Sequence, residues 1–122
     1  MASKKSIVAV DDSRIVLQTL ESMLNDQYEF RAFTKAARAL NSMIQFTPSL
    51  IILDIDMPEV DGYAMLEKIR ENIELRGTPV IFITSNSEKN YVEKAMKNGA
   101  DDYVVKPVNK DVLIGKIETL LP

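Results

Sequence analysis

Hydrophobic and polar positions along the chain alternate between two periods. Short runs suited to strands occur at Ser6–Val10, Tyr28–Phe33, Leu50–Leu53, Val80–Ile83 and Tyr103–Val105. The runs at 50–53 and 80–83 are apolar at every position, as expected for strands covered on both faces. Between them the period lengthens to that of a helix. Ser13–Asn25 repeats Val16, Leu17, Leu20, Met23 and Leu24 at helical spacing, and Thr34–Phe46 starts at a candidate N-cap, Thr34, and ends before Pro48. Gly62–Glu74 places Leu66, Ile69 and Ile73 on one stripe. Ser87–Asn98 opens with a capping hydroxyl and closes at Gly99, and Asn109–Leu121 stripes Leu113, Ile117, Leu120 and Leu121. This alternation predicts an α/β fold of (βα)5 type: a five-stranded parallel sheet with right-handed crossovers and helices on both faces. No repeat, low-complexity tract or linker composition interrupts residues 1–122, so one domain is expected.

Composition narrows the chemistry. The chain has 18 acids against 15 bases, a net charge of −3, which leaves no basic footprint for direct nucleic-acid binding. It contains no Cys and no His. Disulfides, thiolate nucleophiles, imidazole acid–base catalysis and Cys- or His-ligated metals are therefore excluded. What remains is carboxylates, hydroxyls and amines, a set that suits a hard, oxygen-loving cation. No stretch approaches the roughly 18 apolar residues of a membrane span. The apolar run behind Lys4 and Lys5 is too short for a signal peptide, and a cytoplasmic location is expected.

In an open parallel sheet the site lies beyond the carboxyl ends of the strands, at the switch in strand order. Asp11 and Asp12 directly follow the first strand, Asp54 the third, Thr84 ends the fourth and Lys106 the fifth, so all share one edge. Asp101-Asp102 is the same dipeptide at the opposite end of a strand, roughly 15 Å from Lys106, and reads as turn chemistry and solvent. If the first and third strands are neighbours, three carboxylates converge. A like-charge pair about 4 Å apart costs about 4 kcal/mol at an effective dielectric near 20. A divalent cation removes that cost, and Mg²⁺, octahedral and bound by one or two carboxylates plus phosphate, suits it best.

These residues resemble a known family. Asp11-Asp12, Asp54 within LIILDIDMPEVDGYAML, Thr84 within VIFITS and Lys106-Pro107 within DDYVVKP look like a bacterial two-component response-regulator receiver domain, over nearly the whole chain. The resemblance implies a flavodoxin-like, doubly wound sheet of order 2-1-3-4-5, and roles for individual residues. Asp54 would accept a phosphoryl group from a phosphohistidine on a sensor histidine kinase or histidine phosphotransfer protein, a reaction in which a carboxylate needs no general base. Asp12 would ligate Mg²⁺ directly, Asp11 through water, Asp54 through its carboxylate and Asp56 through its main-chain carbonyl. Lys106 would balance charge on the transferring group. Thr84 would hydrogen-bond a phosphoryl oxygen, and Tyr103 would be a switch aromatic. Asp56 and Asn86 would flank the path of hydrolytic water. A cis bond before Pro107 and a tight loop at Met57-Pro58 and Gly62 belong to the same pattern. A downstream protein target would be met by the fourth helix, fifth strand and fifth helix, where Val112 and Ile114 flank the Leu113 stripe.

Three other readings compete. Asp54-Ile55-Asp56 after an apolar strand resembles the nucleophile signature of haloacid-dehalogenase-like phosphatases, but their acidic pair comes late in the chain, whereas Asp11-Asp12 comes first. A flavin- or nucleotide-binding module would need a Gly-, Ser- or Thr-rich loop after the first strand, where two carboxylates stand instead. A degenerate receiver would lack a chemical position, and none is missing. No effector sequence follows Pro122, which fits a stand-alone, chemotaxis-type receiver or an excised piece.

Overall fold

The computed structural model describes residues 4–57, 61–86 and 88–122. Its elements are β1 (Ser6–Val10), α1 (Arg14–Leu24), β2 (Glu29–Phe33), α2 (Ala36–Gln45), β3 (Leu50–Asp54), α3 (Gly62–Glu71), β4 (Val80–Thr84), α4 (Lys89–Lys97), β5 (Asp102–Val105) and α5 (Lys110–Leu120). All pairings are parallel and the order is β2-β1-β3-β4-β5. Strands β3 and β4 are buried at every residue, because each has a strand on both sides and helices on both faces. Alternate strand residues feed two cores. One gathers Ile7, Ile52 and Ile83 with Leu17 and Leu20 of α1 and Leu113 and Ile117 of α5. The other gathers Val10, Leu53 and Phe82 with Met43 of α2, Leu66 and Ile69 of α3 and Ala95 of α4. Thus α1 and α5 cover one face, and α2, α3 and α4 the other.

Caps fix where several helices begin. Ser13 Oγ accepts from Val16 N–H, Asp61 Oδ1 from Ala64 N–H at 2.8 Å and Asn109 Oδ1 from Val112 N–H at 3.0 Å. Two sequence expectations for caps differ. Thr34 does not cap α2: the chain stays extended through Lys35 (φ −120°, ψ 125°), which holds the N-cap position and makes no side-chain capping bond to the helix. The expected cap at Ser87 falls outside the described residues, and the N-cap position of α4 is Glu88, again without a side-chain bond. Gly99 does close α4 in the left-handed region, φ 101°.

The stripe expected to reach Ile73 ends early. Asn72 leaves helical geometry (φ −84°, ψ 126°) and its Oδ1 accepts from Glu74 N–H at 2.8 Å. That turn shifts the phase, leaving Ile73 73% exposed while Leu75 is fully buried in its place. Asp101-Asp102 is also more than a solvated turn. Asp101 Oδ2 accepts from Val80 N–H at 2.8 Å and pairs with Arg70 at 3.1 Å, while Asp102 pairs with Lys116 at 2.9 Å. Arg70 also donates to the Thr78 carbonyl at 2.7 Å and the Gly99 carbonyl at 3.0 Å. The dipeptide clamps the amino ends of β4 and β5 to α3 and α5, away from the acidic edge.

Candidate functional site

Adjacency of β1 and β3, with Val10 opposite Leu53, brings the residues just beyond them together. One carboxylate oxygen from each of Asp11, Asp12 and Asp54 lies within 4.8 Å of the others. Asp11 is fully buried, Asp54 is 2% exposed, and Asp12 is exposed at the rim. Local bonds orient the two buried acids: Asp11 Oδ1 accepts from Ser13 N–H at 2.8 Å, and Asp54 Oδ1 from Asp56 N–H at 3.2 Å. Lys106, just past β5, places Nζ 3.0 Å from Asp11 Oδ2 and 3.7 Å from Asp54 Oδ1. Its peptide bond to Pro107 is cis, and its N–H donates to the Thr84 carbonyl at 2.7 Å.

Three acids face one ammonium, so the charges are out of balance. Burial first, then the charges of Asp11 and Asp12, push the Asp54 carboxyl up to about 6, against the pull of Lys106 and the Asp56 N–H. Burial works to lower Lys106, but its contacts with Asp11 and the charges of Asp54 and Asp12 outweigh it and raise its pKa. Asp11 Oδ2 is buried and, despite the nearby ammonium, has no aligned hydrogen bond among the described residues. A buried carboxylate oxygen with no aligned hydrogen bond, beside two further acids, is a donor open to coordination. An all-oxygen set of this kind fits a hard divalent cation.

Around this cluster stand the other expected residues. Thr84 is fully buried; its Oγ1 accepts from Asn86 N–H at 3.0 Å, and its hydroxyl also hydrogen-bonds the Tyr91 hydroxyl, a contact that works to lower the Tyr91 pKa. Asn86 Oδ1 is itself engaged, accepting from Glu88 N–H at 2.9 Å. Asp56 is exposed and turned from the acidic cluster toward α4, where its Oδ1 accepts from the Tyr91 hydroxyl at 2.6 Å. Tyr103 is half-buried in β5 opposite Phe82, one pleat below the Thr84–Val105 pair and on the same sheet face. The Lys116 ammonium sits 4.7 Å above its ring and donates to its carbonyl at 2.7 Å.

Gly62 closes the site from below. A Cβ there would lie 2.6 Å from both the Asp54 carbonyl oxygen and Ile55 Cα, and the Gly62 N–H donates to the Ile55 carbonyl at 2.8 Å. Only glycine lets α3 start this close to the end of β3. Met57 is buried, while Pro58, the other member of the expected tight loop, lies outside the described residues. Sequence reasoning missed Tyr91, Lys116 and Arg70, because the pairing of each spans 13 or more residues or depends on which helix covers which face.

Comparison with known proteins agrees with this geometry. Residues 7–118 match the response regulator receiver domain family. The response regulator Rre1 of Synechocystis is 32% identical over 99% of this chain, which covers 53% of that protein, so the chain spans about half the length of that relative. Among solved structures, the signal receiver domain of a signal transduction histidine kinase from Syntrophus aciditrophicus is 32% identical with a TM-score of 0.86, covering 96% of this chain and 89% of that one. The chemotaxis protein CheY4 of Vibrio cholerae shares the fold, with a TM-score of 0.90 at 24% identity over 97% of this chain and 99% of its own. No finding supports the phosphatase alternative. Among the described residues no helix is long and apolar enough to cross a membrane. With the acidic edge of a 2-1-3-4-5 sheet and the family match in agreement, the chain belongs to the response-regulator receiver family, the phospho-accepting signalling modules of two-component systems.

Proposed function

We propose that Asp54 is the phospho-acceptor, taking a phosphoryl group from a phosphohistidine on a sensor histidine kinase or histidine phosphotransfer protein, and that residues 1–122 act as one cytoplasmic receiver domain. The observation that carries this reading is the meeting of Asp11, Asp12, Asp54 and Lys106 at one sheet edge. An Asp54 carboxylate oxygen attacks phosphorus; the new O–P bond forms as the N–P bond to the donor imidazole breaks. At neutral pH Asp54 is largely ionised, so no base is required. Lys106, already between Asp11 and Asp54, follows the charge onto the phosphoryl oxygens. The Thr84 hydroxyl donates to one of them. Asp12, Asp54 and the Asp56 carbonyl, with Asp11 through water, would hold Mg²⁺, which would supply charge neutralisation when bound. Asp56 and Asn86 flank the approach of hydrolytic water, and the only turnover is the domain's own phosphorylation and dephosphorylation.

Output follows from Thr84. Its inward movement frees space for the Tyr103 ring on the same sheet face, and a protein target reads the change on α4, β5 and α5. Met96 (41% exposed) and Val112 (49% exposed) supply apolar surface there. No nucleic-acid or membrane contact is needed. The test is mass spectrometry after incubation with acetyl phosphate and Mg²⁺. One phosphate is expected on the parent protein and none on Asp54→Asn; equal labelling of the variant overturns the assignment.

A further inference from the structure

Tyr91 and Asp56 are 35 residues apart in sequence, yet the Tyr91 hydroxyl donates to Asp56 Oδ1 at 2.6 Å. A hydroxyl–carboxylate bond this short belongs to the strong, charge-assisted class. Its two ends lie on different parts of the machine. Asp56 sits two residues past the acceptor in the β3–α3 loop; Tyr91 lies in the first turn of α4, the helix that starts shortly after Thr84. Packing alone holds α4 weakly, since among its described residues Ala95 is the only buried one. A second, softer link runs parallel: the Lys94 ammonium rests 4.6 Å above the Tyr63 ring of α3. Burial and the bond to Asp56 raise the Tyr91 hydroxyl above the ordinary tyrosine range, so it keeps its proton and remains a donor at any physiological pH.

We propose that Tyr91 is a positioning residue that tethers the phospho-acceptor loop to α4 through Asp56, holding the Asp56 carboxylate away from the acceptor and α4 against the site. The inference rests on the reading of Asp54 as phospho-acceptor for its chemical consequence, but not for the tether itself. With one oxygen engaged by Tyr91 on the α4 side, Asp56 is poorly placed to orient water at an Asp54 acyl phosphate. Freed of the tether, the carboxylate can turn toward the phosphoryl group and accept a hydrogen bond from attacking water. The same release loosens α4, so one bond couples phosphate lifetime to the surface that reads it.

Two measurements on the full chain test this. In the first, hydrogen exchange of α4 amides is followed without phosphodonor in the parent, Tyr91→Phe, Asp56→Ala and the double variant. Each single variant should exchange at least about fivefold faster in α4, a modest share of a charge-assisted bond, and the double variant no faster than either. Unchanged α4 exchange in both single variants overturns the tether. In the second, the acyl phosphate made with acetyl phosphate and Mg²⁺ is timed. Tyr91→Phe should hydrolyse at least about fivefold faster than the parent, whereas adding Tyr91→Phe to Asp56→Ala should change nothing. Hydrolysis within about twofold of the parent (about 0.4 kcal/mol in barrier), or equal acceleration in both backgrounds, overturns the chemical role. A parent protein that takes no phosphate would instead refute the acceptor reading, while exchange still decides the tether.

Discussion

Neutralising Asp54 should stabilise the metal-free protein, and the size of the effect should follow pH. The Asp54 carboxyl is raised from an ordinary 3.8 to about 6 by burial and by Asp11 and Asp12. A raised carboxyl binds its proton more tightly in the folded state. Its favourable contribution is therefore complete below the unfolded pKa and lost as pH rises through the folded one. The difference of roughly two pKa units corresponds to about 3 kcal/mol of destabilisation at pH ~7.5, with about half of it present at pH ~5. Asn at this position is neutral, nearly isosteric and can still accept from the Asp56 N–H. In urea denaturation with EDTA, Asp54→Asn should be more stable than the parent by about 2–3 kcal/mol at pH ~7.5, a gain that shrinks steadily toward pH 5. Saturating Mg²⁺ should stabilise the parent, because a ligand bound only by the folded state shifts the equilibrium toward it, and should stabilise the variant less. A variant no more stable than the parent in EDTA, or an advantage that does not change with pH, would show that the three acids are not in electrostatic conflict.

Two further substitutions probe the scaffold. Gly62→Ala places a methyl 2.6 Å from backbone atoms of Asp54 and Ile55, which cannot swing aside as a side chain could. It should cost about 1–3 kcal/mol in chemical denaturation and weaken Mg²⁺ binding, with unchanged stability refuting the close approach. Gly115→Ala lies mid-way along α5, where an added Cβ meets nothing within 4 Å. It should raise stability by about 1 kcal/mol, read from the urea midpoint, and a loss would mean that α5 is strained there.

Much of this molecule is legible from hydrophobic spacing. The all-apolar runs in β3 and β4 declare themselves because a strand covered on both faces leaves no polar position. The run of α1 declares itself because Ser13 and Asn25 bound a helical stripe. The carboxylates were readable for a related reason: in a parallel sheet every strand presents its carboxyl end to the same edge, so a polar residue just after an apolar run falls on that edge whatever the order of the strands. Family resemblance supplied the order itself. Errors cluster where one residue of backbone decides the outcome. Thr34 has the right hydroxyl for a cap, but the chain runs extended through Lys35, and Ile73 has the right spacing but follows the turn at Asn72.

By itself, then, the sequence determined the alternation of elements, the absence of imidazole and thiol chemistry, and the edge on which Asp11, Asp12, Asp54, Thr84 and Lys106 gather, because these depend on local periodicity and on residue type. Tertiary structure alone decided who touches whom across that edge. It sent the Asp56 side chain to Tyr91 rather than to the acidic cluster, set Lys106 nearer to Asp11 than to Asp54, and put Asp101 and Asp102 to work as clamps on Arg70 and Lys116. Most of these contacts join elements distant in sequence, and the one between Asp102 and Lys116 depends on how α5 folds back over β5. Their geometry depends on helix placement and rotamer choice summed over a whole packed layer, which no local pattern encodes.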